Sequence, residues 1–118
     1  MVEALRPAEA VRTALAAGLR QAMKAREQVA VETLRSLLSA LDNASAVALP
    51  ADTGPYRSGP TEVARRDATA DEIAALFAAE TAERVTAAAD YRARGLVREA
   101  ERLDAQIAVI AAFAPSNA

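Results

Sequence analysis

Glu80 and Arg84 are the residues whose types and spacing most directly suggest chemistry. Ile73, Phe77, Glu80, Arg84, Ala87 and Tyr91 recur at alternating steps of four and three residues. That spacing lines side chains along one face of a helix. A carboxylate and a guanidinium therefore sit within an apolar stripe, in favourable i,i+4 order. A half-buried pair loses hydration and needs further hydrogen-bond partners to offset that loss. Arg35 and the Tyr91 hydroxyl are the candidate partners. Two readings follow: a structural polar clasp between helices, or a recognition groove. Catalysis is the weakest use of such a pair, because a carboxylate held by arginine is a poor vehicle for proton transfer.

The remaining polar residues supply no better machinery. Arg92, Arg94, Arg98 and Arg102 surround Gly95, and Lys24 and Arg26, with Arg20, form a smaller basic group. Both groups are candidate contacts for a phosphate-bearing or protein partner. Asp90, Glu99, Glu101 and Asp104 are interleaved with the first group, the pattern of a solvated face laced with salt bridges. Only Tyr91 lies close enough to offer a stacking platform for a base. Ser36, Ser39, Ser45 and Ser58 lack a neighbouring histidine or a glycine elbow, so none resembles an activated nucleophile. Glycine-rich phosphate loops and EF-hand spacing are both missing. No catalytic residue is assigned.

Composition narrows the field further. The 118 residues suffice for one domain. A net charge of −2 gives no global attraction to nucleic acid or to an anionic membrane, so only local patches could bind phosphate. The sequence has no cysteine and no histidine, which removes disulfides, thiolate sites and the commonest general base and metal ligand. Neither a metal nor a cofactor is expected. No apolar run approaches the roughly 20 residues that span a bilayer. Met1-Val2-Glu3-Ala4 lacks the basic flank and apolar run of a secretory signal. The expected location is cytoplasmic.

The elements that must position these residues are helical, as the alanine-rich composition favours. Pro7 suits a first helical turn. Val11, Leu15, Leu19 (or Ala22) and Met23 share one face, and Ala30, Leu34, Leu37, Leu38 and Leu41 share another. Arg26-Glu27-Gln28 is polar and could be a tight connection, although nothing in it forces a break; the expected arrangement is an antiparallel pair, the joining segment being too short for another. Pro50, Gly54, Pro55, Gly59 and Pro60 exclude regular structure after residue 49, and Tyr56-Arg57 within that stretch could anchor a partner. Thr69-Ala70-Asp71-Glu72 reads as a capping box opening a third helix, which runs to about Arg94 with Gly95 as its left-handed close. A fourth runs from about Leu96 to Phe113, with Val97, Ala100, Leu103, Ile107 and Ile110 inward, and Pro115 beyond it. The expected fold is all-α: helical hairpins over 7–48 and 69–114, joined by a flexible loop over 49–68, packed as a small four-helix assembly.

Ala22-Met23-Lys24-Ala25-Arg26, Thr33-Leu34-Arg35-Ser36-Leu37-Leu38, the 69–72 capping box, Glu80, Arg84, Tyr91, Arg94-Gly95 and the closing Phe113-Ala114-Pro115 follow one another in this order. Taken together they resemble the GatB/YqeY family, whose helical module also occurs in the B subunit of glutamyl-tRNA amidotransferase. The likeness covers about residues 15–48 and 69–115, and stops after the first helical unit of the family. Residues 61–66 resemble the family's longer-loop branch in high-GC bacteria. The resemblance implies a translation-linked accessory module that binds tRNA or a tRNA-processing protein. Glutaminase and kinase chemistry lie elsewhere in the amidotransferase assemblies. It leaves two alternatives: a protein–protein module without RNA contact, and a part in a carbon–nitrogen ligase that uses glutamine as amido donor.

Overall fold

Alanine loses no side-chain entropy in a helix, and helices dominate the result. A computed structural model describes residues 6–47 and 64–115. Among them are four helices, α1 (Pro7–Ala25), α2 (Gln28–Ser45), α3 (Ala70–Ala93) and α4 (Val97–Phe113). Two-residue strands β1 (Ala46–Val47) and β2 (Ala64–Arg65) pair antiparallel, with Ala46 opposite Arg65 and Val47 opposite Ala64. No helix among the described residues is long and apolar enough to cross a membrane.

Two tight turns share one hydrogen-bonding scheme. After α1, the Arg26 and Glu27 amides donate back to the Met23 and Ala22 carbonyls at 3.2 and 3.0 Å. After α3, the Gly95 and Leu96 amides donate to Arg92 and Tyr91 at 3.0 and 2.8 Å. The scheme requires a left-handed residue at its corner. Gly95 supplies it at φ 77°, whereas the first turn uses Arg26 at φ 56°. A side chain in that region costs about 1–2 kcal/mol. The start of α1 lies beside the end of α2, where Arg12 donates to Asp42 at 2.7 Å.

The third helix opens as its sequence dictates. The Thr69 hydroxyl accepts from the Glu72 amide at 3.1 Å, and the Glu72 carboxylate accepts from the Thr69 amide at 2.9 Å. Arg66 adds a bidentate clamp on that carboxylate, both contacts 2.8 Å. The Arg66 bond, followed by that from Thr69, depresses the Glu72 pKa to about 2.

Leu15, Leu34, Leu37, Leu41, Ile73 and Ile110 are fully buried, with Phe77, Ala8, Ala22 and Ala68 around them. Each large side chain contributes roughly 1.5–3 kcal/mol by leaving water. Close helix approach completes the packing. A methyl group built on Gly18 would stand 2.4 Å from Phe113 Cζ, so α4 seats its last ring in the notch this glycine leaves on α1.

Three expectations need correction. Met23 is half exposed and Ala22 is buried in its place, because the inward row of α1 steps by sevens through Ala8, Leu15 and Ala22, and the next residue lies about 100° further round. Val97 is exposed, being the first residue of α4 at a turn that projects from the core. Residues 64–68, expected within the loop, contribute β2 and the buried Ala68. The Arg66 amide also bonds the Ser45 carbonyl at 3.0 Å, and Arg6 pairs with Asp67 at 2.7 Å. The rest of the expected loop, with Tyr56-Arg57, lies outside the described residues.

Three outcomes are expected. Gly18→Leu should lower stability by about 1–2 kcal/mol in urea denaturation, overpacking outweighing the gain in helix propensity. Arg26→Gly should raise it by about 0.5–1 kcal/mol, by relieving the left-handed residue. The third concerns pH. A carboxyl whose folded pKa is depressed adds stability that is complete above its unfolded value, near 4.5, and is lost as pH falls towards 2. Wild type should therefore lose more stability between pH 5 and about 2 than Glu72→Gln does, measured as the difference in denaturation midpoints.

Candidate functional site

The apolar stripe of α3 carries its polar pair into the interior as the spacing requires. Ile73 and Phe77 are buried, and Ala87 and Tyr91 half-buried. Between them the Arg84 and Glu80 side chains retain 13% and 20% exposure. Arg84 Nη1 donates to the Glu80 carboxylate at 3.0 Å and to the Glu80 carbonyl at 2.9 Å. Its Nε donates to Gln106 Oε1 on α4 at 2.8 Å. Nη2 reaches Ser36 Oγ on α2 at 3.5 Å, the outer limit of a hydrogen bond. One guanidinium thus links three helices.

Chemically, this is a holding arrangement. A guanidinium keeps its proton at any working pH, and the carboxylate beside it is already occupied as an acceptor. Among the described residues, no three His, Cys, Asp or Glu side chains stand close enough to hold a metal ion.

The partners differ from those expected. Arg35 is exposed and outside the cluster, with no ion pair among the described residues. The face of α2 carrying Thr33 and Ser36 turns inward, and Arg35 lies about 100° off Ser36. The Tyr91 ring stays half-buried two turns beyond Arg84, with the Arg94 guanidinium 5.3 Å from its centroid. Ser36 and Gln106 were missed because which residues of α2 and α4 face Arg84 depends on how those helices are rotated against α3. One signal was present: Gln106 interrupts the apolar row of Leu103, Ile107 and Ile110.

The basic cluster around Gly95 is largely committed to acids. Arg92 pairs with Asp104, which raises the Arg92 pKa. Arg94 pairs with Asp90 at 3.2 Å. Arg102 crosses to Glu32 on α2 at 2.6 Å and, ahead of Gln28, lowers the Glu32 pKa. Arg98, Lys24 and Arg26 are exposed and make no ion pair among the described residues. Apart from Tyr91, every residue from Ala89 to Glu99 is exposed. Leu96 and Val97 are the large apolar side chains on this projecting turn, and Val85 is exposed further back along α3. A shallow groove of about 390 Å³ runs between α3 and α4, lined by Ala74, Phe77, Ala78, Ala82, Ile110 and Pro115.

Comparison with protein-family models, with curated proteins and with solved structures finds no match to this chain.

Because Arg84 is shared and Glu80 is not, truncating the two has unequal consequences. Arg84→Met strands three partners and should cost about 2–3 kcal/mol, whereas Glu80→Ala leaves Arg84 its other acceptors and should cost about 1 kcal/mol. Equal denaturation midpoints for the two variants would remove the shared-hub interpretation.

Proposed function

We propose that the chain is a GatB/YqeY-like helical module of tRNA-dependent amidotransfer, folded as two antiparallel hairpins joined through the Pro/Gly-rich segment. It acts by binding tRNA or a tRNA-processing protein, in the cytoplasm, and performs no bond-making step itself. The observation that carries this reading is the use made of Glu80 and Arg84. These residues of the family resemblance are spent on one another and on Gln106, fastening α3 to α4. What they support is a scaffold that presents surfaces, which suits a binding role better than a catalytic one. Tyr91 and Arg94, also part of the resemblance, stack on each other near the projecting turn.

A protein-only partner is the second reading, favoured by the exposed Leu96 and Val97 on that turn. The third is a contribution to carbon–nitrogen ligase activity inside a larger complex, with glutamine as amido donor. Titrating bulk tRNA against the protein at increasing salt separates the first two. Phosphate contacts predict affinity that falls steeply and linearly in log–log form; a protein-only module shows no binding even at low salt. Incubation with Glu-tRNA, ATP and glutamine tests the third. Product formed by the isolated chain would replace a binding role with a catalytic one.

A further inference from the structure

The free charges of the molecule are segregated, and the segregation reverses what the sequence clusters suggest. Among residues whose side chains are described, Arg20, Lys24, Arg26, Arg35 and Arg98 are the cations outside any ion pair. All but Arg98 fall between residues 20 and 35, around the turn joining α1 to α2. The acids in that stretch are Glu27 and Glu32, and Glu32 is taken by Arg102. The turn joining α3 to α4 has the opposite balance. Among the described residues its charges outside any ion pair are Arg98 against Glu99 and Glu101. The arginine-rich turn is therefore locally acidic in what it offers a partner, and the α1–α2 turn is basic.

Helix geometry arranges these cations together. The Arg12–Asp42 bond fixes the register of α1 on α2 and marks one edge of the pair. Arg35 lies two turns before Asp42 and so on that same edge, while Arg20 lies about two turns after Arg12 and a quarter-turn round. Lys24 follows Arg20 by one turn, on the outward side. Arg26 occupies the left-handed corner, the position where its counterpart turn uses glycine. Lys24 gains from the carbonyl end of α1 whether or not a ligand is present; Arg20 and Arg35, mid-helix, have no such reason to be there.

We propose that this α1–α2 edge, with Arg20, Lys24, Arg26 and Arg35, is a docking surface for the phosphate backbone of a structured nucleic acid. The proposal rests on the RNA-binding reading above and gives it a location. The patch holds no aromatic side chain, so it has no stacking platform for exposed bases. Recognition is then of backbone charge, independent of sequence. With three to four cations, the salt dependence is modest, a log–log slope of about −2 to −4.

The test is binding of bulk tRNA, followed by fluorescence anisotropy over a salt series. The proteins compared are wild type, a triple variant (Arg20→Gln, Lys24→Gln, Arg35→Gln), Arg98→Gln and Arg35→Lys. All the altered side chains are exposed, and unchanged helical content and denaturation midpoints verify folding. The triple variant should lose at least about tenfold in affinity and most of the salt slope, each phosphate contact carrying about one unit of slope. Arg98→Gln should change affinity less than about twofold and Arg35→Lys should retain binding, since both leave the patch charge intact. Full tRNA binding by the triple variant would overturn the location while leaving the RNA-binding reading in place. Absence of wild-type binding would overturn both. Displacement of tRNA by polyglutamate at equal charge concentration would reassign the patch to acidic protein, ending the claim for nucleic acid.

Discussion

Close approach of helices is the constraint on which this structure depends. A chain rich in alanine and poor in aromatic residues cannot fill wide gaps between helices, and packing at interior density leaves few voids. The helices must therefore nearly touch, and they do so where side chains vanish. Gly18 is the clearest point, its missing side chain occupied by the Phe113 ring. Phe113 and Phe77, the two phenylalanines, both pack on the core, Phe77 within it and Phe113 against its margin.

The polar interior has its own role beside this packing. Leu34, Leu37 and Leu41 of α2 meet Ile73, Phe77 and Ile110 in the core, and directional bonds to Arg84 add geometric definition to that non-directional contact. A guanidinium is suited to this, because its five donors lie in a rigid plane and can serve several helices at once. The cross-links at the periphery, Arg102 to Glu32 and Arg12 to Asp42, are exposed and individually weak. Their larger effect is electrostatic bookkeeping of another kind: they decide which charges remain available to a partner.

Availability explains why the basic clusters of the sequence differ in meaning. Arg92, Arg94 and Arg102 each find an acid on their own helix or a neighbouring one. Among the described residues Arg20, Lys24 and Arg35 do not, since the acids near them are few and Glu32 is engaged across the interface. An arginine count along the chain is blind to this, because ion pairs here span up to 70 residues.

Local features were legible from the sequence alone. Four helices, the capping box at Thr69, the left-handed Gly95 and the single stripe holding Glu80 and Arg84 follow from propensity, hydrogen-bonding chemistry and the 3.6-residue period, which act over a few residues. The strands flanking residues 48–63, the inward turn of Ala22 over Met23, and the choice of Ser36 and Gln106 over Arg35 were settled only by tertiary structure. Each depends on how far one helix is rotated and shifted against another. That relation arises from packing between distant segments, and a periodic pattern within a single helix fixes its faces but not which neighbour each face will meet.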